Sequence, residues 1–416
     1  MMTKPLRLLP AALLAAGMLF TISPSGQVGI GAAQAAVAVK PEIANHLKTA
    51  AQLINARRFK EALVQIHQAE AVPNKTPAEQ LVIDRALGSA AIGAGDYATA
   101  SQAFSRVMAS GSLSGGEREQ IAAALASAEY SQGHYAKAVQ WAKEAGNAPG
   151  MHQLVVQSAF QQGDYATVAH MVGADVAADE KAGRKPSDTD LQLLANAYQH
   201  TNNSAGLSST MEKLLTYYPK KEYWQDVLTR VQRKPGFSSR FELDVYRLQL
   251  ATGNLSKAED YMEAAQLALE AGFPTEGKKI LNKGFATNVL GQGAEAARQK
   301  RLLDLATKRE ADANASLAKD TADAEKAKDG NDQVKIGYRL VNMGQADKGV
   351  EMMQQGIQKD DLKRPEDAKL HLGIALLQAG KKAKAIQVLR GVKGDDGSAD
   401  LAHLWVIAAN QGQMPL

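Results

Sequence analysis

No cysteine occurs among the 416 residues, and that absence excludes disulfides, thiolate nucleophiles, thiolate-rich metal sites and a lipidated cysteine. Aromatic residues are scarce at 5%, whereas apolar residues make up 45%, many of them alanine. This composition suits close-packed helices better than strands, which draw on Val, Ile and Tyr. The charge balance has no strong sign: 48 Lys and Arg stand against 44 Asp and Glu, a net +4. Nothing in it calls for nucleic acid. The eight histidines are His46, His67, His134, His152, His170, His200, His371 and His403, and no two have the HxxxH spacing of a zinc-binding helix face. No metal or other cofactor is expected.

Only one long apolar run exists, and it lies at the start. Lys4 and Arg7 precede Leu8 to Ile22, and Ala33-Gln34-Ala35 supplies the small-x-small pattern read by signal peptidase. The run is shorter than the roughly 18 to 20 residues of a bilayer span and contains Pro10 and Gly17. Residues 1–35 are therefore expected to be a cleaved secretory signal, with a periplasmic mature chain. Cleavage removes Lys4 and Arg7 and no acid, leaving a net +2.

What is present is a repeat. The pattern of Gly, a polar residue, Tyr, two variable positions and a small residue occurs at Gly95-Asp96-Tyr97, Gly133-His134-Tyr135 and Gly163-Asp164-Tyr165, followed by Ala100, Ala138 and Val168. Weaker copies begin at Arg57, Gly253, Gly344 and Gly380. From Arg57 to Gly163 successive copies start 38, 38 and 30 residues apart, and the last two start 36 apart. These are spacings of helical hairpins. In one copy, Leu81, Ala86, Leu87 and Ala91 form an apolar stripe before Gly95, and Ala100, Phe104 and Val107 form another after it. Gly95 permits the positive φ that ends a helix, and Asp96 can cap the next. Neither helix can bury its stripe alone, so the units must stack.

Leu87-Gly88, Gly95, Tyr97, Ala100 and Phe104 resemble the tetratricopeptide repeat signature, and Leu372-Gly373, Gly380, Ala385 and Leu389 repeat it near the end. The resemblance covers most of residues 44–290 and 331–416. It implies an all-α superhelical solenoid of antiparallel helical hairpins. Between its parts, Glu295 to Asp329 carries eight acidic and eight basic residues, and its apolar positions thin out after Leu305. This stretch predicts a long solvated helix, or a pair, with 295–330 connecting an array at 36–294 to hairpins at 331–416.

Candidate chemistry is sparse. Gly272-Phe273-Pro274-Thr275-Glu276-Gly277-Lys278-Lys279 fits GxxxxGK, but Lys279 stands where a phosphate-binding loop has Ser or Thr, and a helical pattern precedes it. A repeat turn, with Gly272 ending one helix and Pro274 opening the next, accounts for it. Asp360-Asp361 and Asp395-Asp396 read as solvated turns without the spaced ligands of a calcium loop. No GxSxG or strand pattern supports a serine hydrolase. Trp141 and Trp405 lie in helical apolar stripes, and His371 and His403 read as helix-face residues.

The densest aromatic segment has two readings. Tyr217, Tyr218, Tyr223 and Trp224 are flanked by Lys220, Lys221, Arg230, Arg233, Lys234 and Arg240. Either Tyr218 and Trp224 pack between hairpins and the cations are solvated, or Tyr217, Lys220, Lys221, Tyr223, Trp224, Arg230 and Arg233 form a partner-binding patch.

A narrower resemblance joins the N-terminal signal, Tyr223-Trp224, Leu362-Lys363-Arg364-Pro365 with His371-Leu372-Gly373, and Leu401-Ala402-His403-Leu404-Trp405. Together they look like proteobacterial periplasmic repeat proteins associated with TonB-type energy-transducing systems. The expected function is thus a non-catalytic periplasmic scaffold holding a protein or peptide partner. Two rivals are a module binding envelope polysaccharide or peptidoglycan, which would need exposed aromatics as stacking platforms, and an enzyme whose site assembles in the groove from a distant histidine and carboxylate.

Overall fold

The computed structural model describes residues 20–22, 27–30, 37–359 and 361–416, with side chains from residue 39 onward. Most of the expected leader, and Asp360, therefore lie outside the described residues. Three short strands, β1 (Phe20–Ile22), β2 (Gln27–Ile30) and β3 (Val37–Ala38), pair antiparallel in that order. All remaining regular structure is helical.

The chain divides into two compact units. The first comprises residues up to Arg184 together with Asn196–Asn203. Its hairpins are α1 (Pro41–Asn55) with α2 (Phe59–Ala71), α3 (Pro77–Ala94) with α4 (Tyr97–Ala109), α5 (Gly115–Ser131) with α6 (Tyr135–Glu144), and α7 (Met151–Gln161) with α8 (Tyr165–Lys181). The turns follow the repeat pattern. Gly95 has φ +78, and the side chain of Asp96 then accepts the Thr99 N–H at 3.1 Å. Asp164 does the same for Thr167, also at 3.1 Å. In the first hairpin Arg57 occupies the glycine's place, with φ +58.

Packing separates the two helices of a hairpin. Helix α3 is buried almost all round, at Val82, Ile83, Ala86, Leu87, Ala90 and Ala91, because hairpins stack on both sides of it. Helix α4 instead buries one stripe containing Ala100, Ala103, Phe104 and Val107. Gly88 sets the close approach: a Cβ there would lie 2.5 Å from the Phe104 ring. Stacking continues through a core of Phe104, Val107, Ile121, Leu125, Ala138 and Leu154, against which Trp141 is partly buried.

The second unit comprises Lys185–Ala195 and Ser204–Leu416. It takes the first part of α9 (Asp188–His200), then α10 (Ser204–Tyr217), α11 (Lys221–Gln232), a 3-10 turn at Ser239–Phe241, α12 (Glu242–Ala251), α13 (Ala258–Glu270) and α14 (Pro274–Ala286). After these come α15 (Ala296–Lys326), α16 (Asn331–Asn342), α17 (Ala346–Gln358), α18 (Pro365–Gln378), α19 (Lys382–Arg390) and α20 (Ser398–Asn410). Helices α16 and α17 pack backbone to backbone, since a Cβ on Gly337 would lie 2.6 Å from the Gly349 carbonyl oxygen.

The compact units thus divide near residue 184, not at the 295–330 stretch. That stretch is one continuous helix, and its thinned apolar positions still suffice to dock it. Leu302 and Ala306 are buried, while Leu317 and Ala324 pack with Ile336, Leu340 and Met352 of the next hairpin. Long-range contacts also bind the 204–260 segment to the 365–411 segment within this unit, including the Gln411 Nε2 bond to the Leu215 carbonyl at 2.6 Å.

Candidate functional site

The aromatic and basic segment is mostly structural. Tyr223 and Trp224 project from α11 beside Val227 and Leu228, and each is 2% exposed. The Tyr223 hydroxyl donates to Asp188 Oδ1 at 2.7 Å and accepts from Gln192 Nε2 at 2.8 Å. Burial, reinforced by the Asp188 carboxylate, raises the Tyr223 pKa. Tyr218 donates to the Pro186 carbonyl at 2.9 Å under the Lys185 ammonium, which stands 3.6 Å from the ring centroid. Lys220 pairs with Asp188 at 2.6 Å, and Arg230 with Asp226 at 3.2 Å along its own helix. Tyr217 is half-buried, whereas Lys221 and Arg233 are exposed. The expected patch is therefore corrected at Tyr223 and Trp224: their rings fill the core, because an amphipathic α11 has only these and neighbouring side chains to cover its inner face.

Further along, charged residues distant in sequence meet. Arg240 pairs with Asp367 at 2.8 Å and also with Asp396, and Lys234 pairs with Asp400 at 2.9 Å. Asp396 is no solvated turn residue. Burial raises its pKa, but hydrogen bonds from Ser398 and Arg240 outweigh this and hold it at about 2. Its carbonyl also accepts the Ser238 N–H at 2.9 Å.

The deepest cluster centres on Arg247 of α12. Its guanidinium binds both oxygens of Glu276, at 2.6 and 2.7 Å, and Asp244 at 2.7 Å. All three residues are at most 5% exposed. The ring centroids of Tyr338 and Phe273 lie 4.9 and 5.6 Å from its Cζ. His371 of α18 completes the set, with Nε2 at 3.0 and 3.2 Å from the Asp244 oxygens. An ionised carboxylate only accepts, so this nitrogen carries the proton. Burial alone would raise the Asp244 pKa, but His371 and Arg247 hold it down at about 2. For Arg247 burial acts to lower the pKa, and Glu276, Tyr338 and Asp244 more than reverse it.

Glu276 belongs to the GxxxxGK-like stretch, and its side chain is committed here rather than to phosphate. Gly272 has φ +84 and Pro274 opens α14, the repeat turn that the residues suggest. The rival requirement of a histidine meeting a distant carboxylate is satisfied by His371 and Asp244. Yet that carboxylate is also taken by Arg247, and no hydroxyl nucleophile is hydrogen-bonded to His371 among the described residues. What the cluster accomplishes is to fasten α12, α14, α16 and α18 together. His403 likewise pairs across elements, with Glu212 at 3.2 Å, and that hydrogen bond raises its pKa. The sequence held no signal for the pairings of His371 and His403, because their partners lie 124 to 191 positions away.

Among the described residues, no group of three or more His, Asp or Glu is arranged to hold a metal ion. No helix there is long and apolar enough to cross a membrane. Every aromatic residue whose side chain is described is buried or partly buried.

No curated protein matches the sequence. Three solved structures are similar over 89% of this chain. The Naa15/Naa10 complex bound to HypK-THB has 14% identity and a TM-score of 0.35, and this chain covers 63% of that chain. Yeast Tom70 has 11% identity and a TM-score of 0.24 with 96% of that chain covered, and the P58(IPK) TPR domain 13% and 0.22 with 99% covered. At these TM-scores the fold rests on the helices themselves. The tetratricopeptide repeat family model matches residues 85–152 and 334–400, one stretch in each compact unit. The Gly95 turn and the Gly88 contact lie within the first matched stretch, and the Gly337–Gly349 approach and the Gly380 turn within the second.

Proposed function

We propose that this chain is an exported, non-catalytic scaffold that holds a protein or peptide partner in the bacterial envelope, within a TonB-type transport complex. The observation that carries the reading is the pair of tetratricopeptide stretches at 85–152 and 334–400, because stacked hairpins expose an extended surface suited to many modest contacts with a segment of another protein. Export is supported by Lys4, Arg7, the Leu8 to Ile22 run and Ala33-Gln34-Ala35. The TonB-type setting is supported by the short motifs around Tyr223, Pro365, His371 and Trp405.

The commitment of buried charge to helix packing favours a scaffold over an enzyme. Partly or fully buried aromatics speak against a carbohydrate platform, which stacks sugars on open rings. Crosslinking in the native envelope, followed by identification of the captured chain, tests the proposal. Recovery of a defined protein partner supports it. Capture of glycan alone, or turnover of a small compound by the purified chain, overturns it. Sequencing the mature N-terminus tests export separately, with Ala36 as the expected first residue.

A further inference from the structure

The second unit contains two histidines, His371 and His403. Each stands on a late helix and pairs with a carboxylate of an early one. His371 of α18 reaches Asp244 of α12 at 3.0 Å, and His403 of α20 reaches Glu212 of α10 at 3.2 Å. Helix α20 packs on α12 as well as on α18 and α19. The last helix of this unit therefore returns to its beginning, and both histidine pairs bridge the seam.

The deep pair sets a charge balance. Asp244 and Glu276 bring two negative charges into the interior, and Arg247 brings one positive charge. His371 supplies the second only while both of its ring nitrogens carry protons. The charged groups at its ring are Asp244 and Arg247, the latter with Nη1 at 3.4 Å, and Glu276 of α14 lies behind Arg247. Tyr338 of α16 presents an uncharged ring at 5.5 Å. Among the described residues, α17, α19 and α20 send His371 no hydrogen bond or ion pair. Loss of the extra proton leaves a net negative charge among buried side chains, which is costly.

The shallow pair works in the same sense. The hydrogen bond to Glu212 raises the His403 pKa above its ordinary 6.5, against partial burial and Arg390 of α19. Asp400, on the same helix, adds a smaller pull although it pairs with Lys234. A raised histidine stabilises the closed seam fully below about 6.5, and that contribution is lost as pH rises through the folded value. The other ion pairs of the seam, Lys234 with Asp400 and Arg240 with Asp367 and Asp396, keep their charges near neutrality. Gln411 gives its Nε2 to Leu215 across the seam and leaves its buried Oε1 without a partner, so closure there is incompletely compensated.

We propose that His371 and His403 form a pH-sensitive clasp, which holds α10 and α12 against α18 and α20 while both rings are protonated and lets these ends part as pH rises. The device needs no ligand and is independent of any partner's identity.

The absence of cysteine allows spin labels to be placed uniquely in the full chain, through Ser209→Cys on α10 and Asn410→Cys at the end of α20, both exposed. Pulsed electron resonance should give a single short distance at about pH 5.5 and an added longer population at about pH 8.5. His371→Gln with His403→Gln, neutral under both conditions, should show the longer population in each. His371→Lys with His403→Lys, charged under both, should keep the short distance in each. His403→Gln alone, at an exposed position, should raise the longer population at about pH 7 roughly twofold, the scale of one exposed pair; this variant decides the matter where a double variant fails to fold. Circular dichroism should show unchanged helicity across the pH range. Identical distances in the parent at both pH values, a lysine variant that opens like the parent, no effect of His403→Gln, or opening accompanied by loss of helicity overturns the inference.

Discussion

Arg247 and Glu276 lie 29 positions apart and meet in a two-pronged ion pair, both of them buried. Removing one member leaves an uncompensated charge inside the unit. Glu276→Gln is therefore expected to destabilise the chain by about 3 kcal/mol, a larger loss than an exposed pair would give. Urea unfolding followed by circular dichroism measures it. A midpoint equal to that of the parent would show that the pair contributes nothing.

Acid should reveal the same cluster. The Asp244 pKa is depressed from 3.8 to about 2, so the folded state favours its ionised form. The associated stabilisation is complete above the unfolded value and is lost as pH falls through about 2. The shift corresponds to about 2 kcal/mol. Asp244→Asn should flatten the acid limb of the stability profile between about pH 4 and 2, although the variant starts less stable. An acid limb as steep as the parent's would assign that sensitivity elsewhere.

Gly88 and Phe104 provide a test in the first unit. A methyl group at position 88 meets the phenyl ring, so Gly88→Ala should cost about 1 to 3 kcal/mol through overpacking, despite alanine's better helix propensity. Phe104→Leu in the same chain should restore part of the loss. Additive effects in a double-mutant cycle would disprove the contact.

Trp224→Ala separates core from interface. With 2% exposure in the parent, the truncation should cost about 3 to 5 kcal/mol and lower the thermal midpoint. Unchanged stability together with weaker partner capture would return Trp224 to the surface.

Deleting residues 331–416 probes how far the second unit depends on its later hairpins. The deletion removes Asp367, Asp396, Asp400 and His371, the partners of Arg240, Lys234 and Asp244. Residues 204–294 should then become sensitive to limited proteolysis, while residues 41–184 keep the parent's pattern. Equal resistance throughout would make the 295–330 helix a true connector between independent arrays.

Much of the architecture follows from local chemistry in the sequence. Gly95 with Asp96, and Gly163 with Asp164, specify a helix end and the next cap within a few residues. Small residues such as Gly88 and Ala100 indicate where helices approach, and the absence of cysteine closes whole classes of chemistry. These rules act over one or two turns, so they can be read without a fold. The commitment of Trp224 to the core, the docking of the charged α15 helix and the meeting of Arg247, Asp244, Glu276 and His371 were decided only by tertiary structure. Long-range pairing depends on how small rotations accumulate from hairpin to hairpin, and no local pattern encodes which distant charge will arrive opposite another.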